Sequence, residues 1–332
     1  MSVSQKRVPV RKLVSVVMAA GLLASLAACA GPNALGGDCS PLYSAGSNSD
    51  LVAAKGKIGA DPKAQFATPV VGKSVQVSTV IAGKGDKIQP GATAVVQVSI
   101  YDGTTGDVLI SSDYTGTGVI GYVREGAPAF GAVVQCTAIG SRVAAVGPAG
   151  DLIGADAIAQ YQLPVATDDT VVLVADLLGA YLGKANGVDQ PLQDGFPAVA
   201  LAPDGRPGFT FASDKSAPTT YKASTLKAGS GATVKAGDAV VLNYSGIEWG
   251  GKTIAETTWD GLPTVKVASS LTDSPQSGLI DGLVKALVGQ KVGSQVIVIV
   301  PPELGYASGS APSGVTDGAT LVYVVDILGI YK

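Results

Sequence analysis

The 332-residue chain contains no histidine. Without imidazole there is no Ser-His-Asp triad, no His-ligated metal and none of the usual proton shuttling near neutral pH. Cysteine is almost as scarce. Cys29, Cys39 and Cys136 are spaced like neither a zinc site nor a CxxC redox pair, so no metal and no cofactor is expected. Charge is thin as well: 15% of residues are charged, the formal net charge is −3, and no dense Lys/Arg stripe occurs. The electrostatic footprint of a nucleic-acid binder is therefore missing, and no nucleic-acid partner is expected. What the chain does have is apolar mass, 46% of its residues, which suffices for a sizeable core, and a length that suits two domains. Its 44 glycines and 19 prolines separate short runs of Val, Ile and Thr, a pattern of strands and turns.

Lys6, Arg7, Arg11 and Lys12 precede an apolar run from Leu13 to Leu26 that closes on Leu26-Ala27-Ala28-Cys29. A basic start, a short apolar stretch and small residues before a cut define a secretory signal, too short for a comfortable membrane span. The Leu-Ala-Ala-Cys ending resembles a bacterial lipobox, which implies removal of residues 1–28 and lipidation of Cys29. The protein would then sit on the extracytoplasmic face of the cell membrane, held by acyl chains. Residues 29–50, rich in Gly, Ser, Asn and Pro, read as a flexible tether. Outside the cytoplasm Cys39 and Cys136 can form one disulfide.

Self-similarity organises the rest. Gly83-Lys84-Gly85, Ile88-Gln89-Pro90-Gly91 and Ala94-Val95-Val96 recur 146 positions later as Gly229-Ser230-Gly231, Val234-Lys235-Ala236-Gly237 and Val240-Val241-Leu242. TVVLVADLLG from Thr170 returns as TLVYVVDILG from Thr320. The reading is a duplicated domain, residues 51–187 and 188–332, with the boundary in the Asn/Gly/Gln/Pro cluster of 185–194. In the second copy the order is strand 239–244, strand 264–267, helix 280–288, strand 294–300, a long loop, and strand 320–328. Leu279, Ile280, Leu283, Val284 and Leu287 give that helix one apolar face, which an antiparallel sheet must curl around, an α+β unit. GTGVIG at Gly116 to Gly121 fits a dinucleotide motif only formally, because no strand-to-helix unit surrounds it.

LIDGLVKALVGQKVGSQVIVIVPPELGYA, from Leu279 to Ala307, resembles the helix, strand and tyrosine loop of the FKBP-type peptidyl-prolyl isomerases without a gap. VKAGDAVVLNYSG and ATLVYVVDIL extend the likeness. The lipobox, the repeat and the pair Trp249/Trp259 are similar to a bacterial lipoprotein family with two FKBP-like domains. The resemblance implies a prolyl pocket in which amide rotation needs no general acid, so the missing histidines are no obstacle. It implies that the Tyr306 hydroxyl and the Ile280 backbone N–H bond the substrate carbonyl. It places Glu256 at the family's acidic position, Leu283 on the floor, and Leu279, Tyr244, Tyr323 and Trp259 about the substrate. From the residues alone, Leu279, Ile280 and Leu283 are core positions of an amphipathic helix, Tyr244 and Tyr323 are strand packing, and Glu256 is a solvated charge.

The likeness has gaps. Where the family carries a Phe-Asp pair this chain has Ala255-Glu256, losing an aromatic wall that Ile254 could partly replace. In the first copy Val98 stands for Tyr244 and Leu173 for Tyr323, the helix equivalent is a shortened Phe130–Thr137, and nothing between Gly147 and Asp169 matches Tyr306. The first copy is therefore expected to be catalytically silent. The expectation is a monomeric isomerase acting on proline-containing secreted or surface proteins. The rival readings are a non-catalytic chaperone or interaction lipoprotein using the same groove, and a carrier of a hydrophobic small molecule.

Overall fold

Valine and isoleucine runs bounded by glycine turns become strands throughout the computed structural model, which describes residues 39–115, 118–122, 129–212, 216–306 and 309–331. The expected leader, Cys29 and part of GTGVIG lie outside the described residues. All described residues belong to one contact unit, Pro32–Lys332. No helix among them is long and apolar enough to cross a membrane.

Strands β1 (Gln76–Ile81), β2 (Thr93–Asp102), β3 (Val108–Ser111), β4 (Val119–Tyr122), β5 (Arg142–Pro148) and β6 (Thr170–Tyr181) form one antiparallel sheet. Its order is β1-β5-β6-β2-β3, with β4 also on β2. The chain continues through β7 (Val188–Asp189), β8 (Ala198–Leu201), β9 (Pro207–Thr210), β10 (Lys222–Ala228), β11 (Ala239–Glu248), β12 (Glu256–Thr257), β13 (Thr264–Val267), β14 (Gln295–Val300) and β15 (Leu321–Ile330). The second sheet runs β12-β11-β15-β14-β10-β7, with β13 on β11, while β8 and β9 make a separate hairpin. Replacing β1, β5, β6, β2, β3 and β4 by β10, β14, β15, β11, β12 and β13 converts the first order into the second. Even the irregularities recur: the register slip between Thr79 and Ile81 returns between Thr225 and Lys227, and that between Val95 and Val96 returns between Val241 and Leu242.

The helices are α1 (Ser47–Asp50), α2 (Ala129–Ala132), α3 (Ala149–Leu152), α4 (Ala155–Gln160) and α5 (Asp281–Leu287). α5 buries Leu283, Ala286 and Leu287 against the inner face of the second sheet. Gly282 lets it come close, since a Cβ there would lie 2.5 Å from Val300 Cγ1. The helix expected over 280–288 is thus present, whereas its counterpart in the first copy ends at Ala132, before Cys136, rather than spanning Phe130–Thr137. In the first copy the inner face is instead closed by α3 and α4, which contribute Leu152, Ile153 and Ile158 to the core with Val165 just beyond them.

Outer faces are covered too. Residues 52–70 lay Val52, Ala54 and Phe66 over the first sheet. Phe196, Val199, Phe209 and Phe211, from the β8–β9 hairpin and its flanks, lie over Ile297, Ile299 and Val324 of the second, where Phe211 meets Trp249 edge-on at 5.3 Å. The expected flexible tether is docked over its described part. Asn48 Nδ2 donates to Val71 O at 2.7 Å, and the buried Ser49 hydroxyl bonds Ser78 at 2.7 Å, because small polar side chains there meet unpaired acceptors on the sheet edge. Cys39 and Cys136 are disulfide-bonded, with Cα atoms 5.5 Å apart.

A buried aspartate marks equivalent positions in the two sheets. Asp176 takes a two-pronged ion pair from Arg142 at 2.6 and 2.7 Å and the Gly59 N–H at 2.7 Å. Its counterpart Asp326 faces Gln295 instead, accepting Nε2 at 2.7 Å and the Ala185 N–H at 2.8 Å. With the guanidinium replaced by an amide, burial pushes the Asp326 carboxyl up to about 6, opposed by those two donors. Between the sheets, Leu182, Val241 and Leu328 form a small core flanked by the stacked pair Tyr181 and Tyr331.

Candidate active site

Strand β12 pairs with β11 in a register that sets Glu256 opposite Gly246, and Tyr323 on β15 faces the same glycine from the other side. Gly246 is needed there: a Cβ would lie 2.3 Å from the Tyr323 ring. The ring therefore lies flat over the strand and carries its hydroxyl to Glu256 Oε1 at 3.1 Å. Tyr306, on the loop after β14, donates to the same oxygen at 2.6 Å. Tyr244 packs edge-on to Tyr323 with ring centres 6.1 Å apart. Three phenols thus surround one carboxylate.

The electrostatics keep these phenols protonated. Burial, and then the Glu256 charge, pushes the Tyr244 hydroxyl up to about 12. Burial likewise raises Tyr306, reinforced by its hydrogen bond to Glu256, and burial beside Glu256 raises Tyr323 further. At any physiological pH the hydroxyls are donors, and none is poised to act as a base.

Tyr306 also borders a cavity of about 600 Å³ together with Leu271, Thr272, Ile280, Pro302 and Asp317. Ile280 is the residue at which α5 begins, and its backbone N–H meets no acceptor among the described residues. The loop that presents Tyr306 is folded back on itself. Asp317 accepts the Gly309 N–H at 3.0 Å, and the Thr316 N–H is bonded to the Glu248 carboxylate.

The residues anticipated for the site therefore divide. Tyr306, Glu256, Tyr323 and Tyr244 converge, and Tyr306 shares a cavity with Ile280. Leu279, Leu283 and Tyr323 belong to the buried core, 4%, 4% and 1% exposed, so they support the site from beneath and leave its open wall to others. Ile254 does not replace the missing aromatic: it points outward, 38% exposed. Trp259 is placed elsewhere. Its N–H donates to Thr257 Oγ1 at 3.2 Å and its carbonyl accepts from Arg206 at 2.9 Å, which turns the indole into a different cavity beside Pro90 and Pro203. Leu271, Thr272, Pro302 and Asp317 were not anticipated. Only the two prolines ahead of Tyr306 carried a sequence signal, a rigid approach to a loop residue.

In the first sheet the register that puts Glu256 opposite Gly246 puts Ile110 opposite Ile100, and Leu173 lies where Tyr323 does. The phenol–carboxylate cluster has no counterpart there, and α3 and α4 occupy the space above the core.

This geometry coincides with what sequence comparison finds. The profile of the FKBP-type peptidyl-prolyl cis-trans isomerase family matches residues 231–328, which hold every member of the cluster. A probable FK506-binding protein of Corynebacterium glutamicum is 30% identical over 113 residues, 34% of this chain and 88% of that protein. The isomerase FkpA of Escherichia coli is 32% identical over 105 residues, 32% of this chain and 36% of its own length. FK506-binding protein 4 of Chaetomium thermophilum is 35% identical over 105 residues, of which this chain covers 20%. The crystal structure of FkpA superposes with a TM-score of 0.29 at 26% identity, over 40% of this chain and 51% of that one, too weak a likeness to bear on fold or function. The chain belongs to the FKBP-type peptidyl-prolyl cis-trans isomerase family. It spans only about a fifth to a third of the first two curated relatives when these are taken by length, 20% and 36%.

Proposed function

We propose that the second of two FKBP-like domains, residues 188–332, catalyses cis-trans isomerisation of X-Pro bonds in secreted or surface proteins. Its carrier is a lipoprotein anchored through Cys29 on the extracytoplasmic face of the cell membrane. The observation that carries the reading is the approach of Tyr306, a loop phenol held as a donor, to the same cavity as the free N–H of Ile280. Rotating a prolyl amide costs about 18–20 kcal/mol because resonance is lost midway, and unaided exchange takes tens to hundreds of seconds. A site accelerates it by binding the twisted amide better than the planar one. Fixed N–H and O–H donors capture the rotated carbonyl, and an apolar surround disfavours the dipolar planar form. Neither task requires a general acid or base, in keeping with a chain devoid of histidine.

Glu256 acts here as the residue that holds Tyr306. A phenol has one proton to donate, and in the free protein that proton lies on the Glu256 carboxylate. Substrate must win it away, exchanging a charged acceptor for a neutral one, an expense of roughly 1 kcal/mol. Together with Ala255 in place of an aromatic wall, this describes a slow isomerase. The first FKBP-like domain, residues 51–187, acts as a silent scaffold, its core capped by α3 and α4 and its carboxylate position filled by Ile110.

The test is the relaxation of a Pro-containing peptide from cis to trans in the presence of the purified chain. Acceleration that drops with Tyr306→Phe supports the reading. A non-catalytic client-binding lipoprotein would bind the peptide with no change in relaxation rate in either form.

A further inference from the structure

A second cavity, of about 430 Å³, opens where the two sheets meet. Its rim is exposed: Pro90 from the turn before β2, Lys184 from the segment after β6, and Pro203 from the β8–β9 turn. Its floor is made by Ala92, Asn243 and Trp259. The size lies within the range of ligand-binding clefts.

Two donors in this floor lack acceptors. The indole Nε1 of Trp259 is buried and has no partner among the described residues. Asn243, 3% exposed, has its amide orientation set from behind. The Thr258 Oγ1 accepts the Tyr244 N–H at 3.0 Å and donates to Asn243 Oδ1 at 3.0 Å, so the oxygen faces Thr258 and the Nδ2 donors are left with no acceptor among the described residues. A buried polar group without a partner is costly, so two donors facing one cleft call for an acceptor within it. The indole is also held rigidly. Gly205, with φ +103°, packs where a Cβ would lie 2.9 Å from Trp259 Cη2, and Arg206 bonds both the Trp259 carbonyl and Asp260.

The charges around the cleft identify the acceptor as neutral. Arg206 is paired with Asp260, and Lys184 donates to Pro203 O beside Asp204, so no cation is left to attract an anion. The rim is formed by three separate turns and is open to solvent, as passage of a polymer requires. We infer that this cleft binds an extended polypeptide segment, with backbone carbonyls accepting from Trp259 Nε1 and Asn243 Nδ2 and small apolar side chains lying on Pro90, Ala92 and Pro203. The site is separate from the Tyr306 cavity and does not depend on isomerase activity.

The test uses the full chain labelled with ¹⁵N and a proline-free pentapeptide of alanine, valine and leucine, acetylated and amidated at its ends. Titration is expected to move the Trp259 indole N–H resonance downfield and saturably, the signal being assigned by its loss in Trp259→Phe. That variant keeps an aromatic ring and is expected to bind about fivefold more weakly, the measure of one neutral hydrogen bond. Tyr306→Phe is expected to leave the Trp259 shift unchanged, which separates this site from the isomerase site. The inference is overturned if the indole resonance of the unmodified chain does not respond to the blocked peptide, as it would not if the cleft held water alone. It is equally overturned if only a peptide with a free carboxylate binds. Because the unmodified chain carries the decisive signal, misfolding of a variant does not rescue the idea.

Discussion

The Tyr306 hydroxyl donates to Glu256 Oε1 across 2.6 Å, joining a loop after β14 to the short strand β12, fifty residues away in sequence. The contact makes one phenolic proton serve two purposes, holding the loop in the free protein and capturing the carbonyl of a twisted amide. A double-mutant cycle separates them. Tyr306→Phe is expected to lower kcat/KM about fivefold, by loss of one neutral donor of ~1 kcal/mol. Glu256→Gln replaces the charged acceptor with a neutral one and is expected to raise kcat/KM several-fold in the parent while doing nothing in Tyr306→Phe. A fall in both backgrounds would show that Glu256 acts on substrate directly.

The half-buried Ala255 donates its N–H to Gly246 O at 2.9 Å and sits beside Glu256, where the family has its aromatic wall. Ile254 faces away. Ala255→Phe is therefore expected to tighten binding of an X-Pro peptide by about 1–3 kcal/mol through added apolar contact. Peptide titration monitored by calorimetry measures this, and unchanged affinity would mean that the ring finds no groove to wall.

Asp326 makes stability depend on pH. Its carboxyl titrates at about 6 in the folded chain because it is buried opposite Gln295, and near 4 once unfolded. Between those values the native state binds the extra proton, so this group's contribution is fully present below pH 4 and is lost as pH rises through 6. The loss is on the order of 3 kcal/mol. Denaturant unfolding of the parent and of Asp326→Asn from pH 4 to 7 reads it: the variant is expected to gain on the parent as pH rises. Parallel curves would contradict the assignment.

Periodicity carried much of this architecture. Alternating or continuous runs of Val and Ile gave the positions of β11, β13, β14 and β15 to within a few residues, and the 3.6-residue spacing of Leu279, Leu283 and Leu287 gave α5. The recurrence at 146 positions anticipated two sheets of one strand order. The site was readable where a residue broke the packing pattern, as Tyr306 does after two prolines. It was not readable where long-range packing decides. Leu283 and Tyr323 satisfy a helix or strand pattern equally well at a groove wall or in a core, and only the assembled sheet puts them in the core. The turn of Trp259 away from Tyr306 depends on Arg206, fifty-three residues earlier. In the first copy, α3 and α4 come from short Ala/Gly-rich stretches whose own pattern is too brief to announce a helix. The hairpin over the outer face joins elements through tertiary contact alone.

The central claim is that residues around Tyr306 bind a half-rotated prolyl amide more tightly than a planar one. Following cis-to-trans relaxation of a Pro peptide against increasing concentrations of the purified chain tests it most directly. The account predicts a rate that climbs linearly above the uncatalysed background, with a shallower slope for Tyr306→Phe. A rate that stays at the background at every protein concentration would contradict it.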